Sequence, residues 1–102
     1  DYASPSGKSS VKDFIERLPI REKANVYAAF EKIAEYGLSV VETRQIEGKI
    51  WELKTFRFNR FFYFIQEEDS ILIFYATKKQ KNKLEKKHKA AILDLYRKIT
   101  QP

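Results

Sequence analysis

An α+β fold, with two N-terminal helices, a twisted antiparallel sheet of three to four strands and a C-terminal helix, is predicted by three changes of pattern along the chain. Apolar residues recur at helical spacing up to Gly37. They then gather in β-branched and aromatic runs between residues 39 and 77, and return to helical spacing from Leu84 to Ile99. With 102 residues, 43% of them hydrophobic and 15% aromatic, the sequence suits one domain over 1–102 with a single core.

Residues 1–9 (DYASPSGKS) are small and polar with one Pro and one Gly, which predicts a loop or the end of a strand begun upstream. Ser10 with Asp13 three residues on is a near capping box, and Val11, Phe14, Ile15 and Leu18 form an apolar stripe before Pro19 ends the run. Val26, Tyr27, Phe30, Ile33 and Ala34 make a second stripe between Ile20 and Tyr36, with Gly37 placed as its terminator. The segments 39–46 and 50–56 read as strands joined at Glu47-Gly48-Lys49. Two more, 60–66 and 71–77, are joined at the acidic turn Glu67-Glu68-Asp69-Ser70. Leu84, His88, Ala91, Ile92, Leu95 and Ile99 give the last helix.

Charge is concentrated in one place. Seven of the twelve residues from Lys78 to Lys89 are lysine and only Glu85 is acidic, so this window carries the whole net charge of +6. Clustered cations favour a polyanionic partner, most commonly a phosphate backbone; a solvated helix face is the plainer alternative. The chain has no cysteine, which excludes a disulfide framework and a Cys-based zinc site, and one histidine, which makes a conventional metal cluster improbable. No cofactor is expected. No P-loop, dinucleotide fingerprint or nucleophile elbow occurs. No apolar run approaches the ~20 residues of a membrane span and no export signal opens the chain, so a cytoplasmic location is expected. The lack of any Met and the start at Asp1 suggest that residues precede it.

Strand register sharpens the candidate site. Pairing Phe56 with Arg60 sets Lys54 opposite Phe62, and pairing Gln66 with Ile71 sets Phe62 opposite Tyr75 and Arg60 opposite Thr77. Trp51, Leu53, Phe61, Tyr63, Ile65, Leu72, Phe74 and Ala76 then share one apolar face for helices. Lys54, Arg60, Phe62 and Tyr75 share the other with Lys79, where a base could stack while its phosphates are held. Alternatively, Lys54 and Arg60 are edge charges that keep the sheet soluble, and Phe62 and Tyr75 belong to a core closed by the C-terminal helix. His88, the one obvious acid or base at neutral pH, falls on the apolar stripe of that helix and reads as a packed imidazole.

The segments GKSSVKDFIERLP (7–19), EGKIWELKTF (47–56), RFFYFI (60–65) and ILIFYATKKQKNK (71–83) together resemble toxins of the RelE/ParE superfamily, in particular the phage-derived HigB-like branch. The resemblance spans about residues 7–98 and rests on the order and spacing of these pieces. It implies a RelE-like fold and a toxin of a type II toxin-antitoxin system, a metal-independent endoribonuclease that cleaves mRNA in the ribosomal A site by attack of a ribose 2′-OH on the adjacent phosphate. It implies Arg60 and Lys79 as the cations on the scissile phosphate, with Lys54 beside them, and substitution of Arg60 or Lys79 by Ala as loss of toxicity in an intact fold. Some relatives supply a Tyr or His near the C-terminal end as proton acceptor. Here that stretch holds lysines, Asn82 and Glu85, which leaves the role open between Tyr75 and a lysine of depressed pKa. Arg57, Phe62, Lys78, Lys81, Lys83 and Lys86 are the candidate contacts to RNA and the ribosome. The implied partners are the ribosome, mRNA and a HigA-like helix-turn-helix antitoxin, with which the toxin would form a heterotetramer. The rivals are a ParE-like inhibitor of DNA gyrase and a non-catalytic RNA-binding module.

Overall fold

A computed structural model describes residues 10–67, 70–78 and 84–101. The chain runs through helices α1 (Ser10–Glu16) and α2 (Ile20–Tyr36), a short 3-10 turn at Leu38–Val40, strands β1 (Glu42–Glu47), β2 (Ile50–Thr55), β3 (Asn59–Glu67) and β4 (Ser70–Lys78), and helix α3 (Lys86–Thr100). The strands form one antiparallel meander in the order β1-β2-β3-β4. This is the α+β architecture expected of a RelE-like fold.

Pro19 separates α1 from α2 because it has no N–H to continue the first helix and its fixed φ suits the position before the second. Gly37 ends α2 at φ 89°, where a side chain would be strained, and its N–H closes the last turn on the Ile33 carbonyl at 2.8 Å. Gly48, at φ 54°, makes the β1–β2 turn in the same way.

Helices cover both faces of the sheet, not one. Val11, Ile15 and Leu18 of the α1 region and Val26 of α2 pack with Leu53, Phe61, Tyr63 and Ile73. Phe14 and Phe30 meet Phe61 edge-on with ring centroids 5.7 and 5.2 Å apart. On the opposite face Ile92 of α3 closes a second cluster with Ile50, Phe62, Phe64 and Phe74, and Tyr96 stands edge-on to Phe64 at 5.2 Å. Three members of the predicted stripes fall outside them. Tyr27 is exposed and donates its hydroxyl to Glu16 at 3.0 Å, Ala34 is exposed near the end of α2, and Ala91 is exposed while Leu93 and Tyr96 take part in the packing.

The β3–β4 register at the site matches expectation, with Arg60 opposite Thr77 and Phe62 opposite Tyr75. An irregularity follows between Phe62 and Tyr63, and beyond it Tyr63 lies opposite Ile73. This bulge moves Leu72 and Phe74 from the expected face to the α3 side. In β2–β3 the observed partners are Lys54 with Arg60 and Thr55 with Asn59, two residues off the predicted pairing. The turn is Phe56-Arg57-Phe58 instead of 57–59, and because the offset is even every side chain stays on its assigned face.

Candidate functional site

The polar end of the α3 face is built from two cross-strand rows. Glu42, Lys54, Arg60 and Thr77 form the first, and Arg44, Glu52, Phe62 and Tyr75 the second. Directly opposed residues of an antiparallel sheet share a face, so the meander brings three cations onto a surface three strands wide. Their charges are not left bare. Lys54 Nζ lies 3.3 Å from Glu42 Oε2. Glu52 Oε1 lies 3.7 Å from Arg44 Nη2 and 3.8 Å from Arg60 Nε, placing one buried carboxylate between two guanidiniums. Arg60 is itself enclosed, its side chain 5% exposed, and its Nη1 donates a hydrogen bond of 2.5 Å to the Arg57 carbonyl.

At the end of the second row Tyr75 Oη and His88 Nδ1 share a hydrogen bond of 2.8 Å that ties β4 to α3; which ring donates follows from the imidazole tautomer. Burial pushes the Tyr75 hydroxyl above its ordinary pKa, so it is a neutral phenol at physiological pH.

The structure thus brings Lys54, Arg60 and Tyr75 together on one face, as the strand parity predicts. Phe62 is on that face but is not a stacking surface: it is 0% exposed, beneath α3 and against Tyr75 at 5.9 Å. The alternative in which Phe62 belongs to a core closed by the C-terminal helix holds, because α3 brings Ile92 and its apolar neighbours down on that half of the sheet. Arg57 is exposed at the β2–β3 turn with its guanidinium over the Phe58 ring, 5.5 Å from the centroid. Lys78 sits opposite Asn59, on the α1–α2 side, where its Nζ lies 3.2 Å from Glu22 Oε1. Lys86 opens α3 and is exposed. Lys79, Lys81 and Lys83 lie outside the described residues.

Two residues gain a place that spacing did not give them. His88 is half-buried on the helix stripe as predicted, yet the stripe alone did not show that a tyrosine hydroxyl meets it. Glu52, from the Trp-Glu-Leu run, is the carboxylate that holds two arginines; strand parity with Lys54 and Arg60 was the available signal. Among the described residues no cluster of three or more His, Cys, Asp or Glu is arranged to hold a metal ion, and no helix is long and apolar enough to cross a membrane.

An antiparallel meander with two helices on one face and a third closing the other defines a RelE-like α+β protein. Residues 13–97 match the phage-derived Gp49-like protein family, and the chain belongs to that family, whose proteins are RelE-like and toxin-like. Comparison with curated proteins gives no match.

Proposed function

We propose that the protein is the toxin of a type II toxin-antitoxin pair, of the HigB-like branch, and that it acts as a ribosome-dependent mRNA interferase silenced by a HigA-like antitoxin. The observation that carries this is the cross-strand pair Lys54–Arg60, one row from the Tyr75–His88 hydrogen bond. Cleavage by an RNA 2′-OH forms the O2′–P bond and breaks P–O5′, leaving a 2′,3′-cyclic phosphate and an O5′ alkoxide that takes a proton from water to become the 5′-hydroxyl. The dianionic transition state gains most from cations fixed before the substrate arrives, and Arg60, held at Nη1 by the Arg57 carbonyl, is fixed in this way. The 2′-OH proton passes to Tyr75 Oη as Tyr75 hands its own proton to His88 Nδ1, in the tautomer whose Nδ1 accepts the Tyr75 hydrogen bond, so no phenolate accumulates.

A phosphate reaches Arg60 by exchanging for the Glu52 carboxylate. The 3.8 Å separation between Arg60 Nε and Glu52 Oε1 is longer than a hydrogen bond, and an anion that bonds Arg60 directly competes with it. The same enclosure supports a second reading, a non-catalytic module in which Arg60 and Glu52 are structural partners.

Induction of the protein in a bacterial host, with new RNA 5′ ends mapped with translation running and with initiation blocked, separates these. Cuts within translated codons that vanish when initiation is blocked are expected. Growth arrest with DNA-damage signalling and no cuts would replace the proposal with the ParE-like gyrase inhibitor, and binding of RNA without cuts or arrest would leave the module.

A further inference from the structure

The β2–β3 turn is made by Phe56, Arg57 and Phe58, and its first two residues hold φ at 44° and 61°. Among the described residues these are the only non-glycine positions in the left-handed region. A bulky side chain there is a genuine outlier, since Cβ crowds the backbone; Gly or Asn is the ordinary occupant of such a turn. Strain of this kind persists when burial compensates for it or when function requires it. Burial does not compensate here. Phe56 is 39% exposed and belongs to neither core cluster, and Arg57 is exposed as well.

The turn is also tied to the site. The Arg57 carbonyl accepts the Arg60 Nη1–H hydrogen bond, and the Phe58 N–H closes on the Phe56 carbonyl at 2.6 Å, so the backbone that displays Phe56 also orients the site arginine. Only the pair Thr55–Asn59 separates the turn from the pair Lys54–Arg60, a distance of about 7 Å along β2. Planar groups gather at this tip: the Phe56 ring, and the Arg57 guanidinium stacked over Phe58. Aromatic rings and guanidinium planes are the surfaces on which unpaired RNA bases stack.

We propose that Phe56 is a base-stacking residue, which takes an unpaired nucleobase flanking the phosphate held by Lys54 and Arg60, with Arg57 as the cation beside it. This rests on the RNA-cleaving function proposed above and names a substrate contact for it. Stacking is sequence-tolerant, since every base has a π-face, so the contact adds affinity and positions the strand without imposing a base preference.

The test uses the full chain and two labelled probes: a short single-stranded 2′-O-methyl RNA, which cannot be cleaved, and the same strand with abasic positions. The parent is expected to favour the base-bearing strand. Phe56→Gly removes the ring and suits the backbone conformation, so it should melt at or above the parent temperature while losing about 5- to 150-fold in affinity for the base-bearing strand. Its affinity for the abasic strand should be unchanged, and Phe56→Trp should restore discrimination. A Phe56→Gly protein that discriminates the strands as the parent does overturns the stacking role alone. A parent that binds neither strand, or binds both alike, overturns the stacking role, while the RNA-cleaving function stands or falls separately on the translation-dependent 5′ ends.

Discussion

Phe62→Ala separates a core ring from an RNA-binding one. The ring is fully enclosed by Ile50, Phe64, Phe74 and Ile92 and lies edge-on to Tyr75. Removing it loses the transfer free energy of the ring and leaves a cavity at the centre of the α3 interface, about 3–5 kcal/mol. Domains of this size are stable by roughly 5–15 kcal/mol, and each kcal/mol shifts Tm by about 4–8 °C. The variant is therefore expected to melt on the order of 12–40 °C below the parent when followed by far-UV circular dichroism, with Phe62→Leu between the two. A Phe62→Ala protein that melts within about 4 °C of the parent, the shift of a single kcal/mol, and yet loses RNA affinity would place the ring on an open surface. The enclosure by α3 would then be refuted.

Arg60→Ala leaves the buried Glu52 with one guanidinium fewer, so it should lower stability by on the order of 3 kcal/mol and, on the proposed function, abolish toxicity. It is thus not the fold-neutral change that the resemblance implies; an unchanged urea midpoint would show that the pair contributes nothing. Tyr63 and Tyr75 are both pushed above the ordinary phenol pKa by burial. Above about pH 10 the unfolded chain releases phenolic protons that the folded chain keeps, so stability falls as pH rises, and Tyr75→Phe should flatten that fall in urea titrations. A parent whose midpoint does not move between neutral and strongly alkaline pH would contradict this. On the acid side the Asn59 amide, which donates to Glu22 at 3.0 Å, and then Lys78 hold the Glu22 carboxyl below its ordinary pKa against the opposing effect of burial. Its contribution is present above the ordinary carboxylate value and lost as pH falls through the depressed one. Asn59→Ala should therefore raise the Glu22 titration midpoint followed by NMR, and a midpoint that stays put would remove Asn59 as the cause.

Helices and strands were legible because their signals are local. The stripe Val11, Phe14, Ile15, Leu18 and the punctuation by Pro19, Gly37 and Gly48 are properties of a few neighbouring residues, and each appears where its pattern places it. The β2–β3 turn was not legible, because Phe56 and Arg57 are not turn formers and sequence carries no signal for a strained left-handed phenylalanine. The two-residue slip did no harm to the faces, which is why Lys54 and Arg60 still meet. The bulge beside Tyr63 shifts parity by one, and so moved Leu72 and Phe74. The side of the sheet taken by α3 is a tertiary choice, and that choice turned Phe62 from a predicted RNA contact into core and gave His88 its tyrosine.

The first turn of α3 carries a conflict that the proposed function resolves. The helix opens with Lys86 and Lys87 and has no acidic residue in its first turn, although the unpaired N–H groups there favour negative charge. Stability alone would select Glu at this position. The described cations of the sheet face lie beside carboxylates, Lys54 by Glu42 and Arg60 and Arg44 by Glu52, so they contribute little field at a distance. The excess charge is carried instead by the 78–89 window, which begins one residue beyond Thr77, the partner of Arg60. On the proposed function, the window draws the polyanion in and the paired cations engage it after it arrives. Lys86→Glu therefore has two expected effects of opposite sense. It should stabilise the fold by about 0.3–1 kcal/mol through the helix terminus, and it should slow association with single-stranded RNA and lower the salt slope by about 0.7 for each phosphate the variant no longer neutralises. Thermal melting and association rates across a salt series measure both. A variant that is less stable, or one that associates at the parent rate at every salt concentration, would show that Lys86 serves the helix and not the polyanion.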